Sequence, residues 1–438
     1  MAGRPQDTQK ENNHDTGRRE ALNILLDMDK TGRYSSAALE DGLRKIQFED
    51  KTKRAFITRL VEGTTEYRLQ LDAVIDLYAK IPMEKQRPKV RCLLRMSVYQ
   101  MLYMDSVPDR AVLSEAVYLM RSQKMGQLQG VVNGILRNIQ RGIGSGVVTD
   151  FIESNLSIRY STPEWLCERL AADHGRTKAE KILAASFEDR PLTIRCNQKK
   201  QSRMELLGLL TESGIDATVG KESPMALLVN TVDFVRRLPG YREGRFSVQD
   251  ESSMLTVEAL ELSGGERVLD VCAAPGGKSC YAAEWGAEVT SRDISPDKLD
   301  KIRENAERLG LSLRIQEQDA LMPVEEDLEA YDIVVADVPC SGLGVMGRKN
   351  DIKYHVTEDG IRELAAQGQE ILDVAAGYVR PGGRLLFSTC TVVKEENEDA
   401  AEHFLKKHPD FQKKKERQFL QGIDPCDGFY YCLMEKRI

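Results

Sequence analysis

The chain has 438 residues, of which 41% are hydrophobic and 30% are charged, and its formal net charge at pH 7 is −7. This length favours two or three domains, and this composition excludes general disorder. The acidic balance argues against a uniformly basic nucleic-acid-binding protein but permits local basic surfaces.

Signals for targeting, membrane insertion and metal binding are missing from the sequence. No apolar run approaches the ~18 residues of a transmembrane helix, and residues 1–20 lack the apolar core of a signal peptide. We therefore expect a cytoplasmic protein that contacts no membrane, with a monomer as the simplest state. The nine cysteines form no C-x-x-C pair and the five histidines do not cluster, so we expect free thiols and no bound metal.

The pattern of apolar residues from 17 to 142 predicts an all-helical domain, which follows a polar and mobile tail at 1–16. Apolar side chains recur there at helical spacing, and prolines separate the helices. The predicted faces are Ala21, Ile24, Leu25 and Met28; Leu113, Ala116, Val117 and Met120; and Val132, Ile135, Leu136 and Ile139.

Two stretches of the chain are locally basic, Lys85–Arg95 and Lys406–Arg417. Each is compatible with a surface that binds phosphate groups. Each is equally compatible with the solvated face of a helix. The sequence leaves both readings open.

A glycine-rich stretch, Gly142–Gly146, predicts a flexible break after the helical domain. We interpret residues 143–240 as a linker followed by a small α+β subdomain. Its predicted strands are Thr193–Cys196 and Ala226–Val229, with a helix at Met204–Ser213 between them.

From Arg245 onwards strands and helices alternate, which is typical of a doubly wound parallel sheet, and we assign residues 241–438 to this α/β domain. The sequence from Gly428 to Leu433 predicts a late strand that joins the sheet antiparallel. The parallel strands are predicted at Arg267–Val271, Glu288–Ser291, Leu313–Gln316, Ile333–Ala336 and Arg384–Ser388.

The first parallel strand runs into a glycine turn at Asp270–Lys278, where Gly276 and Gly277 permit a close backbone approach to a ligand. The turn has the spacing of neither a G-x-G-x-x-G motif nor a Walker loop. Lys278, at its end, either caps the turn or lowers the pKa of a cysteine thiol.

Acidic residues follow the next three strands, at Asp293, Asp319 and Asp337. A carboxylate after the second strand of such a sheet accepts hydrogen bonds from ribose hydroxyls. Asp319 is placed to meet an adenine edge, and Asp337 lies near the transferred group. Acidic residues also occur at strand ends as helix caps, but with Asp270 this line of carboxylates favours a nucleoside cofactor without phosphates.

Two cysteines follow the last two parallel strands, in Asp337–Gly342 and in Ser388–Thr391. If these strands are neighbours, their ends lie roughly 5 Å apart, so Cys340 and Cys390 reach one pocket. Two thiols above a cofactor crevice favour covalent chemistry. The alternative, a buried core thiol, is assigned to Cys92, Cys167, Cys196, Cys280 and Cys432.

The glycine turn and the two cysteine segments together resemble the S-adenosylmethionine-dependent RNA cytosine-C5 methyltransferases of the NOL1/NOP2/Sun family. Val248–Ser253, Glu395–Glu398 and Asp427–Phe429 are similar to further blocks of that family. Residues 17–142 resemble the helical fold of the antitermination factor NusB, through Val107–Pro108, the helix around Ala116 and Val132–Arg137. The resemblance spans nearly the whole chain.

The resemblance implies a Rossmann-like methyltransferase domain that binds S-adenosyl-L-methionine. It implies that Cys390 is the nucleophile that attacks cytosine C6, that Cys340 assists release of the adduct, and that Asp337 contacts the cytosine N3/N4 edge. The implied cofactor-binding residues are Cys272, which lines the site without reacting, Ala273, Ala274, Pro275, Gly276, Gly277, Lys278, Asp293, Asp319 and Asp337.

The combination of a NusB-like and a catalytic domain implies 16S ribosomal RNA as the partner, at the cytidine conventionally numbered 967. The NusB-like domain and residues 143–240 are then expected to bind RNA by charge and shape. A structural or protein-binding role is the alternative for the helical domain.

Two departures from the family pattern and several alternatives accompany this expectation. Val338 replaces the usual alanine, and the run Arg348–Tyr354 lacks a common proline. The same chemistry on transfer RNA or 23S ribosomal RNA is the nearest alternative, followed by a non-catalytic RNA-binding scaffold. A DNA cytosine methyltransferase would lack the second cysteine, and a small-molecule methyltransferase would not need the first 240 residues.

Overall fold

The computed structural model describes residues 17–44, 46, 51–230 and 234–438, which form two compact units. A helical unit extends to Arg169 and also includes Lys349–His355, while the second unit holds Leu170–Arg348 and Val356–Ile438. The tail predicted at 1–16 lies outside the described residues. Within the described ranges, no helix is long and apolar enough to cross a membrane.

The helical unit confirms the predicted all-α front of the chain. Its apolar faces converge on one core, in which Leu22, Ile57, Leu60 and Leu71 are fully buried. The helices are α1 (Arg18–Thr31), α2 (Ser35–Arg44), α3 (Lys51–Glu66), α4 (Arg68–Asp76), α5 (Pro88–Tyr103), α6 (Asp109–Ser122), α7 (Gln129–Gly144), α8 (Val147–Glu153) and α9 (Leu156–Arg159), and α10 (Glu164–His174) continues into the second unit.

The glycines predicted to form a flexible break lie instead at a tight junction between two helices. Helix α7 continues through Gly142 to Gly144, and α8 begins at Val147. Gly146 has a φ of 83°, a left-handed conformation that glycine adopts without strain. Gly142 is buried beside the phenol of Tyr78, so a small residue is needed there for packing.

Residues Lys349–His355, here called the inserted segment, belong to the helical unit although they lie between the two cysteine segments in the sequence. The Asp351 carboxylate accepts a hydrogen bond of 2.5 Å from the backbone N–H of Ser35. The Tyr354 hydroxyl donates to the Glu66 carbonyl at 2.7 Å, beneath the guanidinium of Arg68 at 4.0 Å from the ring centroid. This run, noted in the sequence for its missing proline, is therefore an anchored part of a helical core.

Lys353 of the inserted segment is only 2% exposed, and its Nζ lies 3.3 Å from the Tyr160 carbonyl oxygen. Burial lowers the pKa of Lys353 to about 7 from 10.5, although Glu66 opposes the shift. Between these values the unfolded chain holds the proton and the folded chain does not, so stability increases as the pH rises.

We expect the helical unit to gain about 2 kcal/mol between pH 7 and pH 9 through Lys353 alone. Urea unfolding of the full chain, followed by Trp165 fluorescence in a Trp285→Phe background, measures this gain. The gain should disappear in Lys353→Met and persist in the exposed control Lys349→Met. Equal pH profiles for Lys353→Met and its parent would contradict a neutral buried lysine.

The second unit begins with the end of α10 and α11 (Arg176–Ala185), followed by the small α+β subdomain predicted from the sequence. Its elements are β1 (Leu192–Cys196), α12 (Arg203–Glu212), β2 (Ala217–Val219), β3 (Ala226–Val229) and β4 (Phe246–Val248). The sheet has the order β2-β3-β1-β4 and packs Leu206, Leu210 and Phe246 into a separate core.

A seven-stranded sheet with its helices forms the rest of the unit, which confirms the predicted doubly wound α/β fold. The elements are α13 (Glu251–Glu258), β5 (Arg267–Asp270), α14 (Gly277–Glu284), β6 (Glu288–Asp293), α15 (Pro296–Leu309), β7 (Arg314–Glu317), β8 (Tyr331–Asp337), α16 (Glu358–Tyr378), β9 (Val379–Thr389), α17 (Glu398–Lys407), β10 (Phe411–Phe419) and β11 (Phe429–Lys436). The strand order is β10-β11-β9-β8-β5-β6-β7. Strands β5 to β9 run parallel, and the predicted late strand β11 pairs antiparallel with β9.

Strand β10 was missing from the sequence prediction, which treated Lys406–Arg417 only as a basic stretch. The strand lies at the edge of the sheet, and its central lysines are exposed. Lysines on an edge strand discourage pairing with another chain. This edge position explains why lysines are found in the strand, and phosphate binding by this stretch stays a prediction.

Candidate active site

The glycine turn lies at the carboxyl end of β5, in the middle of the large sheet. The chain leaves the strand at Asp270, passes through a cis peptide bond between Ala274 and Pro275, and enters α14 at Gly277. Gly276 has a φ of 98°, and a Cβ there would lie 3.2 Å from a side-chain carbon of Ile302. The turn therefore requires glycine both for its conformation and for its packing.

Four carboxylates form a row along the same edge of the sheet. Asp337, Asp270 and Asp293 end β8, β5 and β6, which are consecutive strands, and Asp319 follows β7. The buried Asp293 accepts a hydrogen bond of 3.1 Å from the backbone N–H of Ala274 in the glycine turn. Asp319 is half-buried and accepts from the backbone N–H of Leu321 at 3.0 Å.

Asp270, within this row, has one carboxylate oxygen that is available to accept a hydrogen bond. One carboxylate oxygen accepts from the Ser279 hydroxyl at 2.7 Å, while the other is buried without a hydrogen-bond partner among the described residues. Burial raises the pKa of Asp270 to about 7. A ligand rich in hydrogen-bond donors and carrying positive charge fits such a row, because its groups would satisfy these oxygens.

The two predicted cysteines meet at the next strand ends. Strands β8 and β9 are parallel neighbours, with Asp337 paired to Ser388, and the sulfurs of Cys340 and Cys390 lie 3.4 Å apart. A hydrogen bond to Cys390 and burial both raise the pKa of the Cys340 thiol well above the ordinary value of a cysteine. Cys340 therefore keeps its proton, and either thiol of the pair can be the donor in the hydrogen bond between the two sulfurs.

Asp337 links the cysteine pair to the glycine turn. Its carboxylate lies 2.5 Å from Lys278 Nζ and accepts a hydrogen bond of 2.8 Å from the Ser388 hydroxyl. Lys278 also lies over the ring of Phe429, 4.9 Å from its centroid. The structure thus gives Lys278 a carboxylate partner, Asp337. The sequence suggested only that Lys278 caps the turn or lowers the pKa of a cysteine thiol.

A buried polar network supports the loops that carry the two cysteines. Glu396 accepts hydrogen bonds from the backbone N–H and hydroxyl of Ser341, at 2.7 and 2.5 Å. Asn397 bonds to the hydroxyl of Thr389 and donates to the carbonyl of Thr391 at 3.1 Å. The sequence marked Glu395–Glu398 as a family block, but only tertiary structure shows what these side chains hold.

The other cysteines have different environments from the Cys340–Cys390 pair. Cys92, Cys167, Cys196, Cys280 and Cys432 are buried, as their assignment to the core predicted, and so is Cys426. Cys272 is half-buried in the glycine turn, and burial raises the pKa of its thiol. None of these thiols shares the paired position of Cys340 and Cys390.

Two arginines of the basic stretch Lys85–Arg95 form ion pairs within the helical unit. Arg91 contacts Asp29 at 2.7 Å, and Arg95 contacts Asp72 at 2.6 Å. Lys85, Arg87 and Lys89 remain exposed. Phosphate binding by this stretch, which stays a prediction, would therefore depend on its first three basic residues.

Comparison with known proteins places each part of the chain. The family model described as 16S rRNA methyltransferase RsmB/F matches residues 257–430. The NusB family model matches residues 15–141, and the model of the RsmF/B-like ferredoxin-like domain matches residues 162–234. The chain is 36% identical to the probable ribosomal RNA small subunit methyltransferase B of Bacillus subtilis, over 95% of this chain and 98% of the relative. It is 33% identical to ribosomal RNA small subunit methyltransferase B of Klebsiella pneumoniae, over 93% and 95%.

Solved structures support the same architecture. The structure described as PH0851 has a TM-score of 0.79 at 24% identity and covers 95% of this chain and 99% of its own. NSun6 from Pyrococcus horikoshii, solved with SFG, has a TM-score of 0.56 at 21% identity and covers 63% of this chain and 98% of its own. At these identities the likeness establishes the fold.

The fold and the site define a methyltransferase with an α/β catalytic domain, a ferredoxin-like domain and a NusB-like helical domain. The identity to relatives along nearly their whole length is specific enough to assign the family. The chain belongs to the RsmB/F family of 16S rRNA methyltransferases and is an rRNA methyltransferase.

Proposed function

We propose that this enzyme transfers the methyl group of S-adenosyl-L-methionine to C5 of a cytidine in 16S ribosomal RNA through a covalent bond between Cys390 and C6. The observation that carries the proposal is the separation of 3.4 Å between the sulfurs of Cys340 and Cys390 at adjacent strand ends. One thiol would suffice for addition, so a second thiol in contact favours a reaction with separate addition and release.

The carboxylate row and the glycine turn would hold the cofactor. Asp293 is assigned to the ribose hydroxyls and Asp319 to the adenine edge, while the backbone of Cys272–Lys278 would face the rest of the molecule. The unpartnered buried oxygen of Asp270 supports a ligand with donor groups. When bound, S-adenosyl-L-methionine supplies a methyl group made electrophilic by its sulfonium.

The cysteine and aspartate side chains activate the base and release it. Addition of the Cys390 thiolate to C6 forms a sulfur–carbon bond and moves the C5–C6 electron pair towards N3, which makes C5 nucleophilic. Asp337 accepts a hydrogen bond from the N4 amino group of the base, while N3 takes up a proton that balances the one lost from the Cys390 thiol and neutralises this charge. After C5 has been methylated, its proton is lost to solvent, the electron pair of the C5–H bond re-forms the C5–C6 double bond and the S–C6 bond breaks, while Cys340 donates a hydrogen bond to the departing sulfur.

The remaining parts of the chain would present the RNA. We assign RNA binding to the NusB-like domain at 17–142 and to the subdomain within 143–240, with methyl transfer in 241–438. A cytidine in structured RNA, here the one numbered 967, must leave its stack to reach the two thiols. The nearest alternative keeps the chemistry and changes the RNA to transfer RNA or 23S ribosomal RNA.

Incubation with methyl-labelled S-adenosylmethionine and unmodified 16S ribosomal RNA, followed by digestion to nucleosides, tests the proposal. Label in 5-methylcytidine, mapped to one position, is the expected result. Label in another nucleoside would overturn the chemistry, and label that appears only with transfer RNA or 23S ribosomal RNA would replace the substrate.

We expect Asp293→Asn to weaken binding of S-adenosylmethionine by about 10- to 100-fold, the effect of removing a hydrogen bond to a charged group. Asparagine keeps one acceptor for the Ala274 N–H, so the glycine turn should remain in place. Titration calorimetry on the purified protein measures the affinity. Asp297→Asn, an exposed change in the first turn of α15, is the matched control; equal losses in both variants would contradict the assignment.

A further inference from the structure

Glu396 and Asn397 follow the loop of Cys390 in the chain, and their side chains turn back into the buried space between the two cysteine loops. They are 3% and 0% exposed, respectively. Neither residue belongs to the carboxylate row or to the cysteine pair, so the proposed chemistry leaves two buried polar side chains without a role. Such groups are costly to bury unless their hydrogen bonds are made.

Glu396 holds the loop that carries Cys340. Both of its oxygens accept from Ser341, the next residue after Cys340, one from the backbone N–H and one from the hydroxyl. Burial raises the pKa of Glu396, whereas the hydrogen bonds from Ser341 oppose the rise. The carboxylate thus fixes the backbone adjacent to Cys340.

Asn397 holds the loop that carries Cys390, because its side chain bonds to the residues on both sides of that cysteine. Its amide oxygen pairs with the Thr389 hydroxyl, and its amide nitrogen donates to the Thr391 carbonyl at 3.1 Å and to Gln418 at 2.6 Å. The hydroxyls of Ser341 and Thr391 are in turn 2.7 Å apart. One dipeptide therefore connects both cysteine loops.

We propose that Glu396 and Asn397 are positioning residues that set the distance between the Cys340 and Cys390 sulfurs. The inference rests on the proposed function, in which Cys390 forms the adduct and Cys340 assists its release. A satisfied buried network selects one geometry over its neighbours. A displacement of about 1 Å in reacting groups can reduce a rate on the order of 100-fold, so release is the step that depends on Glu396.

The test compares Glu396→Ala with wild type in a single turnover on 16S ribosomal RNA, with the adduct and 5-methylcytidine quantified at each time. We expect release to slow on the order of 100-fold, so that adduct accumulates, while affinity for S-adenosylmethionine is unchanged. Glu396→Gln should recover most of the rate, because glutamine keeps one acceptor for Ser341. Glu395→Ala, a change in the neighbouring carboxylate, is the matched control.

Ser341→Ala provides a second route to the same result if Glu396→Ala folds poorly. It removes the hydroxyl bonds to Glu396 and Thr391 while keeping the backbone N–H, and the same accumulation of adduct is expected. Release at the wild-type rate in both variants, or an equal loss of adduct and product, would overturn the positioning role. Failure of the proposed function itself would be distinct, since wild type would then form neither adduct nor 5-methylcytidine.

Discussion

Replacing Cys390 with alanine is expected to abolish both 5-methylcytidine and covalent attachment to RNA, whereas replacing Cys340 stops turnover but leaves enzyme attached to RNA. The reason lies in the two roles assigned to the thiols, which are 3.4 Å apart. Without Cys390 no bond to C6 forms. Without Cys340 the bond forms, but no hydrogen-bond donor assists the departure of its sulfur, so the enzyme stays attached to the RNA. We expect activity to fall at least ~1,000-fold in each variant, as with other lost nucleophiles and their partners.

Denaturing electrophoresis of each variant with labelled RNA separates these outcomes. A slowly migrating protein–RNA band should accumulate with Cys340→Ala and be missing with Cys390→Ala. Cys272→Ala serves as control, because this thiol also lies in the site but has no proposed covalent role. The opposite pattern, with the band lost on replacing Cys340, would exchange the two roles.

Replacing Arg195 with methionine is expected to destabilise the second unit by about 3–5 kcal/mol, the usual effect of leaving a buried charge without its partner. The side chains of Arg195 and Glu284 are both 0% exposed, and their charged atoms are 2.8 Å apart. Arg195 also donates to the Gly277 carbonyl at 3.0 Å and lies over the ring of Tyr281. Its loss should therefore weaken cofactor binding as well, because Gly277 belongs to the glycine turn.

Urea unfolding followed by Trp285 fluorescence in a Trp165→Phe background measures this loss in the second unit. Arg242→Met, at an exposed arginine, should leave the transition unchanged. The double replacement Arg195→Met/Glu284→Met should recover much of the stability, because it removes both charges together. If the double variant is as unstable as Arg195→Met, packing of the arginine stem rather than its charge dominates.

Much of the catalytic half could be predicted because its information is local. Apolar runs followed by glycine, aspartate or cysteine locate strand ends, and strand ends of a parallel sheet share one edge. The Cys340 and Cys390 pairing required one further assumption, that their strands are neighbours, which the sheet order confirms. The roles of individual site residues remain predictions for the experiments above.

Features that depend on distant partners could not be predicted. Nothing near Lys353 indicates that its segment enters the helical unit, since its partners lie around Glu66 and Tyr160. The link between Glu396 and Ser341 spans 55 positions in the chain and has no periodic pattern. Strand β10 was missed for a different reason: its exposed lysines suit an edge strand, but they hide the alternation that indicates one.

The most direct test of the central claim is to identify the residue that bonds to the base. Incubating the wild-type enzyme and S-adenosylmethionine with 16S ribosomal RNA transcribed with 5-fluorocytidine blocks release, because fluorine cannot leave C5 as the proton does. Digestion and mass spectrometry of the trapped complex should then give a single nucleotide-bearing peptide that contains Cys390. A bond to Cys340, or no bond while ordinary RNA is methylated, would contradict the account.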